Sequence, residues 1–242
     1  ATDTATNVES PSVANTFKYD TTAPSSSIVL PVNGTYSNPG VITGTASDAT
    51  SGVNKVEITI KNETDTTYWN GVDTWGASEV WLNTTGTANW SYTSPSWISN
   101  KSYLVKSRAT DNATNIETVG TGNSFTLDDT KPSSSVTVPS NNSIVSSLPT
   151  ITGSSSDNLA GVSNVKVKIK CITDTTYWNG TWQGSDPGFT LTATGTTTWR
   201  YSGVTWENTK QYLIQSQATD NATNVEISGA GTSFRYDTLA PS

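Results

Sequence analysis

An internal repeat of about 108 residues constrains this chain more than any other feature. The phrase from Phe17 to Pro24 returns as Phe125 to Pro132, 108 residues later, and as Phe234 to Pro241, after a further 109. A fixed period of this length indicates one structural unit per copy, arranged as an array. The 242 residues predict two whole units, at 20–128 and 129–237. We expect residues 1–19 to be the last loop and strand of a preceding unit, and 238–242 to begin the next junction.

Short strands account for each unit. Val56, Ile58 and Ile60 alternate with polar residues, a period of two that predicts a strand with one buried face and one solvent-exposed face. At least seven such runs occur per unit, separated by turn residues, and they include expected strands at Ala77–Thr84 and Gly188–Thr194. No long segment has apolar residues that recur every 3.6 residues, so no helix is predicted. The pattern predicts an all-β chain of two-sheet antiparallel sandwiches.

Aromatic residues are expected to fill the cores of these sandwiches. Only 33% of the residues are hydrophobic, but the chain has nine Trp and nine Tyr, and one buried Trp removes on the order of 200 Å² from water. Tyr103 and its copy Tyr212 begin strands with inward alternation, which is the place of the tyrosine corner in Ig-like sandwiches. The predicted fold is therefore a tandem of Ig-like sandwiches of the fibronectin III or cadherin-like kind.

Composition excludes several classes of function. The net charge is −7 without a basic patch, which argues against nucleic acid as a partner. No apolar run reaches about 18 residues, so no membrane span is expected in this segment. With no His and the single Cys171, zinc and copper sites and His-dependent catalysis are not credible. We expect no enzyme, no catalytic residue and no organic cofactor.

Aspartates at recurrent turns are the candidate metal ligands. In an Ig-like topology the start of the first strand, the loop between the second and third strands, and the last hairpin loop lie at one end of a sandwich. Carboxylates gathered at such a junction suit Ca²⁺, although Asp is also a common turn residue for reasons of its own. The candidate ligands are Asp20, Asp48 and Asp111 in the first unit, and Asp128, Asp129, Asp157 and Asp220 in the second.

Tryptophans on the variable hairpin are candidate binding residues. Trp75, Trp81 and Trp182 lie where the two copies differ most. Exposed aromatic faces bind sugar rings, whereas the alternative is packing between the strands of the hairpin or into the core. The sequence leaves both interpretations open.

Nine Asn-Xaa-Ser/Thr patterns are possible glycosylation sites. The chain is rich in Asn, Ser and Thr, so about this number would arise by chance. The acceptor residues are Asn33, Asn62, Asn83, Asn89, Asn100, Asn112, Asn141, Asn179 and Asn221.

Three motifs resemble those of bacterial Ig-like tandem repeats. They are Asp-Thr-Xaa-Xaa-Pro at the first and last junctions, a Ser-Asp turn followed by Ser-Gly-Val in the first unit, and Ala-Thr-Asp-Asn-Ala-Thr-Asn before the last strand of both units. The resemblance implies a place in a long secreted or cell-surface protein, with a role in spacing, adhesion or surface assembly. The chain departs from the family at Thr114 and Thr223, where many such repeats have Gly.

Together these features predict a structural segment of an extracellular fibre, filament, stalk or surface layer, whose partners are other copies of the same repeat. Strand donation and lateral packing are the two modes of assembly that fit. The alternative is an adhesive or carbohydrate-binding surface module with glycans as partners. Residues 1–19 could be unpaired, packed on the first unit or donated to another chain.

Overall fold

The computed structural model describes residues 1–240, and every regular element in that range is a β-strand. Among these residues there is no helix long and apolar enough to cross a membrane. The strands of repeat 1 are β1 (Ser25–Leu30), β2 (Gly34–Tyr36), β3 (Ile42–Ser47), β4 (Val53–Asn62), β5 (Thr67–Trp69), β6 (Trp75–Gly76), β7 (Leu82–Asn83), β8 (Asn89–Tyr92), β9 (Ser102–Asp111) and β10 (Asn123–Leu127). The strands of repeat 2 are β11 (Ser133–Val138), β12 (Ser143–Val145), β13 (Thr150–Ser156), β14 (Val162–Cys171), β15 (Thr176–Trp178), β16 (Trp182–Gln183), β17 (Leu191–Thr192), β18 (Thr198–Ser202), β19 (Gln211–Asp220) and β20 (Thr232–Tyr236).

Each repeat is a sandwich of two sheets, which confirms the predicted all-β, Ig-like fold. In repeat 1 the small sheet has the order β1-β3-β8, and the large sheet has the order β2-β10-β9-β4-β5-β6, with β7 also paired to β4. Repeat 2 has the same two orders from β11 to β20. One pair departs from the predicted antiparallel pattern, because β2 runs parallel to β10, and β12 likewise runs parallel to β20.

The long strands β4 and β9 form the centre of the large sheet. Along their paired length, Val53 lies opposite Asp111 at one end and Asn62 lies opposite Tyr103 at the other. The alternation of apolar residues places Ile58, Ile60 and Val105 in the core. Facing sheets of this kind bury one side of each strand, and the branched side chains pack well there.

A tyrosine corner closes each sandwich, as the sequence predicts. The Tyr103 hydroxyl donates to Ile98 O (3.1 Å) and accepts from Ile98 N (2.8 Å). The Tyr212 hydroxyl makes the same two bonds with Glu207, at 3.1 and 2.8 Å. The corner therefore fixes the segment before the long strand to the strand itself in both repeats.

Two strand predictions are wrong. The segments Ala77–Thr84 and Gly188–Thr194 contribute only the two-residue strands β7 and β17. The outer face of β4 is also not exposed to solvent along its whole length as predicted, because Glu57 and Thr59 are buried. The chain after β6 crosses this face and covers it, which a period-two pattern in β4 alone cannot reveal. In repeat 2 the alternation of β14 is as predicted at Lys166, which is exposed.

The first 19 residues form one small loop and an extended tail. Thr2 and Val8 form an isolated bridge, as Thr110 and Ile116 do in repeat 1. Val13 is 94% exposed and Phe17 is 89% exposed. Residues 10–24 contain no strand, so donation of this segment stays a prediction. Of the predicted junction at 238–242, the last two residues lie outside the described range.

Candidate metal sites at the repeat junctions

The loop after β9 fixes the first aspartate of the predicted site. Asp111 ends β9 and is buried, and its two carboxylate oxygens accept hydrogen bonds from the backbone and the side-chain amide of Asn115, both at 2.8 Å. Asp220 and Asn224 make the same pair of contacts, also at 2.8 Å, at the end of β19. The Asp-to-Asn spacing of four residues therefore sets the orientation of the carboxylate in both repeats.

The turn after β3 fixes the second aspartate. Asp48 Oδ1 accepts from the backbone N–H of Ser51 (2.8 Å) and of Gly52 (2.6 Å). Gly52 has a φ of 80°, a conformation that residues with a Cβ adopt at a cost. Asp157 and Gly161 repeat this arrangement, with an O···N distance of 2.8 Å and a glycine φ of 73°.

The third aspartate comes from the junction that precedes the first strand. Asp20 Oδ2 accepts from Ser51 N at 3.0 Å. Hydrogen bonding from Ser51, with a smaller contribution from the backbone N–H of Thr22, holds the pKa of Asp20 below its usual value. Asp128 takes the same place in repeat 2, where its Oδ2 accepts from Ala160 N at 2.8 Å. Each junction is therefore hydrogen-bonded to the turn that follows β3 in repeat 1 or β13 in repeat 2.

The fold brings the three carboxylates of each repeat together. One oxygen from each member lies within 4.8 Å of the other two, in the sets Asp20, Asp48, Asp111 and Asp128, Asp157, Asp220. Oxygens that share one Ca²⁺ at 2.3–2.6 Å can be no more than about 4.6–5.2 Å apart, so this spacing fits a single ion. No Lys or Arg within residues 1–240 forms an ion pair with any of the six.

One carboxylate oxygen in repeat 2 has no hydrogen-bond partner. Asp157 Oδ1 is buried and unpartnered among the described residues, whereas Oδ2 accepts from Leu159 N and Gly161 N. A buried acceptor without a donor costs about 1–3 kcal/mol. A cation would satisfy it, and a donor set made only of hard oxygens suits Ca²⁺ better than softer metals.

Asp129 does not belong to this cluster, although the sequence predicts it as a ligand. Its side chain is exposed, and its backbone N–H donates to Ser99 Oγ at 3.2 Å. The neighbouring Asp128 is the residue that turns its carboxylate toward the cluster. Two adjacent aspartates in a loop point in different directions, and the sequence alone does not say which of them faces inward.

The hairpin tryptophans pack against the rest of the protein. The Trp75 ring is half-buried, with its centroid 5.5 Å from those of Trp69 and Tyr103. The Trp182 ring lies 5.2 Å from Tyr212, and its Nε1 donates to Thr205 O at 2.9 Å. Both rings therefore extend the core of their repeats.

Trp81 packs on the outer face of the large sheet in repeat 1. The Arg108 guanidinium lies over its ring, 4.2 Å from the centroid, and pairs with Glu57 at 3.0 Å. Such a stack is a cation–π contact that also buries the Arg stem. Trp81 thus helps to cover Glu57, and this covering explains why Glu57 is buried although it lies on the outer face of β4.

The possible glycosylation sites differ in accessibility. Asn62 is 1% exposed, and its side-chain nitrogen and oxygen are both hydrogen-bonded to Asp65, so a glycan there would displace these bonds. The amide nitrogens of Asn112 and Asn221 each donate to two backbone carbonyls, which a glycan would displace. The other six are exposed: Asn33, Asn83, Asn89, Asn100, Asn141 and Asn179.

One glutamate in each repeat, Glu117 (half-buried) and Glu226 (buried), joins the two sheets, and the sequence pattern does not predict this role. Glu117 accepts from Ser26 N in β1 (2.7 Å) and from Ala109 N in β9 (2.9 Å). Glu226 makes the matching bonds in repeat 2, at 2.7 and 2.8 Å. The signal available in the sequence is that Glu occurs six residues after the candidate ligands Asp111 and Asp220.

No family model matches the chain, and no curated protein sequence matches it. Similar solved structures include fibronectin(III)-like modules of Clostridium thermocellum CbhA, at 19% identity and a TM-score of 0.45 over 88% of this chain and 94% of that one. The FN1-FN3 domains of chicken CNTN1 are 13% identical with a TM-score of 0.37, over 89% of this chain and 66% of that one. The structure of Dpr11 IG1 bound to DIP-gamma IG+IG2 is 10% identical with a TM-score of 0.34, over 88% of this chain and 99% of that one. The assignment of the fold rests on the strand pairings described above.

Proposed function

We propose that this chain is a structural segment of an extracellular fibre, filament, stalk or surface layer, in which tandem sandwiches hold a fixed spacing along an array. The observation that carries the proposal is the junction between the repeats. Only five residues separate the end of β10 at Leu127 from the start of β11 at Ser133. A flexible linker would need a longer stretch without contacts.

The junction residue Asp128 is hydrogen-bonded to both repeats. Its backbone N–H donates to Tyr36 O in repeat 1 at 2.8 Å, and its carboxylate accepts from Ala160 N in repeat 2 at 2.8 Å. A second link joins the side chains of Asn158 and Asn100, at 2.8 Å. These bonds resist bending at the junction, which favours a spacer of limited flexibility over beads on a loose string.

Calcium at the two aspartate clusters is part of the proposal. An ion at Asp128, Asp157 and Asp220 would bind a residue of the junction and two loops of repeat 2 at once, and so would stiffen the array. Calorimetric titration of chelator-treated protein is expected to give two Ca²⁺ per chain and a higher thermal unfolding midpoint. An unchanged midpoint at saturating Ca²⁺ would contradict this part.

The adhesive, carbohydrate-binding alternative finds less support. It relies on exposed aromatic faces at the variable hairpin, but the rings of Trp75 and Trp182 pack against Tyr103 and Tyr212. The extracellular location is supported by the resemblance of the junction and loop motifs to bacterial Ig-like repeats.

Electron microscopy tests the proposed role. An antibody raised against this chain, detected with gold on intact cells and on shed material, is expected to label regularly spaced points along filaments, stalks or a surface lattice. Label confined to the cell interior, or to soluble unassembled protein, would rule the structural role out.

Small-angle X-ray scattering tests the stiffness of the junction separately. The wild-type chain in Ca²⁺ is expected to scatter as one elongated body of fixed shape. Insertion of Gly-Ser-Gly-Ser after Asp129 interrupts the contacts of the junction and is expected to broaden the distance distribution. Equal breadth in the two proteins would show that the natural junction is itself flexible.

A further inference from the structure

The outer face of the large sheet in repeat 1 contains a small cavity. Thr59 on β4 lies opposite Lys106 on β9, and Lys61 lies opposite Leu104. The segment after β6 covers these residues, and a cavity of about 70 Å³ remains beneath it, lined by Thr59, Lys61, Tyr68, Glu79, Leu104 and Lys106. At on the order of 30 Å³ per water molecule, this space holds about two waters or one small anion.

The cavity contains a polar group without a partner. Thr59 is 2% exposed, and its hydroxyl forms no hydrogen bond within residues 1–240. A buried hydroxyl in this state loses its bonds to water and gains none in exchange. It can donate to an acceptor inside the cavity.

The cavity also contains two cations without an acidic partner. Lys61 and Lys106 are half-buried, and neither forms an ion pair within 4.0 Å in the part of the chain that the structure describes. Glu79 is exposed at the rim and likewise forms no ion pair there. Two lysines and one glutamate give the lining a net charge of +1 in a chain of net charge −7, and the Lys61 ammonium lies 5.8 Å from the centroid of the Tyr68 ring.

Repeat 2 has different side chains at two of these positions. Lys168 occupies the position of Thr59, and its ammonium group pairs with Asp186 at 3.3 Å and lies 5.2 Å from the centre of the Phe189 ring. Gln215 occupies the position of Lys106. Repeat 2 therefore has a paired ammonium group in place of the Thr59 hydroxyl and a neutral amide in place of the Lys106 ammonium group.

We propose that this cavity binds a small carboxylate anion. The ligand must carry a negative charge for Lys61 and Lys106, and it must offer an acceptor to the Thr59 hydroxyl. It must also fit a space of about 70 Å³ whose lining includes Tyr68 and Leu104. A carboxylate with a short apolar end meets all of these conditions, and charge-assisted hydrogen bonds to it are the strong kind.

Acetate is the probe for the test. Sodium acetate replaces sodium chloride at constant ionic strength while the backbone amide signals of Thr59 and Lys106 are followed by NMR. The expected shifts saturate with a dissociation constant on the order of 1–10 mM, because half-exposed ammonium groups bind weakly. Shifts that do not saturate, or that spread evenly over both repeats, would overturn the proposal.

Matched variants make the test specific. Lys106→Gln copies Gln215 and is expected to weaken acetate binding about tenfold, which is the effect of losing one charge-assisted bond. Thr59→Leu fills the cavity without adding the positive charge that a copy of Lys168 would bring, and is expected to abolish binding. Lys166→Gln removes an equal charge from an exposed site of repeat 2 and is expected to change nothing. Equal weakening by Lys106→Gln and Lys166→Gln would mean a diffuse charge effect and would overturn the site.

Discussion

Threonine in the left-handed region is the most unusual backbone feature at the residue scale. Thr6, Thr114 and Thr223 have φ values of 70°, 71° and 73°, at the same loop position in each copy of the repeat. A β-branched residue in this region is strained by about 1–3 kcal/mol. Glycine removes the strain but adds about 0.4–1 kcal/mol of unfolded-state entropy.

Thr114→Gly is therefore expected to raise the free energy of unfolding by about 1 kcal/mol, measured by urea denaturation. Thr45→Gly is the matched control, because Thr45 lies in β3 and has no positive φ. That change is expected to lower the stability by about 0.5–1 kcal/mol. A loss of stability in both variants would show that Thr114 is not strained.

Thr59→Val tests the cost of the unpartnered hydroxyl. Valine has nearly the shape of threonine and no polar group, so removing the buried hydroxyl is expected to stabilise repeat 1 by about 1 kcal/mol in chloride buffer. The measurement is the urea unfolding midpoint. A less stable variant would mean that the hydroxyl has a partner.

The raised pKa of Tyr212 predicts a fall in the free energy of unfolding at high pH. Burial raises the pKa of Tyr212 to about 12, above its ordinary value of 10.0. Because the folded pKa is the higher one, the stabilisation is complete below pH 10 and is lost as the pH rises from 10 to 12. We expect Tyr212→Phe to be less stable at pH 7, having lost the corner bonds to Glu207, but to show a smaller fall between pH 10 and 11.5. Urea unfolding followed by circular dichroism measures this fall, and an equal slope in both proteins would contradict the assignment.

At the element scale, the sequence predicts which face of a strand is buried when the pattern of that strand alone decides it. The prediction fails where a segment distant in sequence packs over the strand. The alternation of Val56, Ile58 and Ile60 predicts the inward face of β4 correctly, because period and burial agree along one strand. The outer face depends on Trp81, which lies in another segment and packs over Arg108. The short strand β2 escapes prediction because three residues are too few to show a period.

The small sheet has no room for a side chain at Gly44. A Cβ built there would lie 2.0 Å from Trp90 Cζ2 and 2.2 Å from Ser27 O, so the Trp ring packs directly on the glycine backbone. Gly44→Ala is expected to cost about 3 kcal/mol or more, because the ring and a strand would both have to move. Gly76→Ala, where no atom lies within 4 Å of the added Cβ, is the control and should be nearly neutral. Thermal unfolding followed by Trp fluorescence measures both, and equal stability of the two variants would contradict the packing account.

At the scale of the whole molecule, the position of the candidate metal site follows from the topology of the sandwich, which the repeat pattern predicts. Three loops of an Ig-like sandwich meet at one end, and the aspartates that the sequence places on them converge within 4.8 Å in both repeats. What the sequence does not predict is which residue of the pair Asp128 and Asp129 faces the cluster. That choice depends on the bond from Asp128 N to Tyr36 O, which ties the chain to repeat 1 and sets its direction.

Two equivalent sites in one chain allow each to be removed separately. Asp128→Asn keeps the volume of the side chain but removes one charged ligand, so it is expected to weaken the site of repeat 2 at least about tenfold and to leave one strong Ca²⁺ site per chain. Asp20→Asn should do the same for repeat 1. Asp129→Asn changes the same residue type one position away, outside the cluster, and should retain both sites. Calorimetric titration counts the sites, and hydrogen exchange shows which repeat loses its Ca²⁺-dependent protection. Loss of a site in Asp129→Asn, or two intact sites in Asp128→Asn, would mean that the ions bind elsewhere, and the stiffness of the junction would then rest on its hydrogen bonds alone.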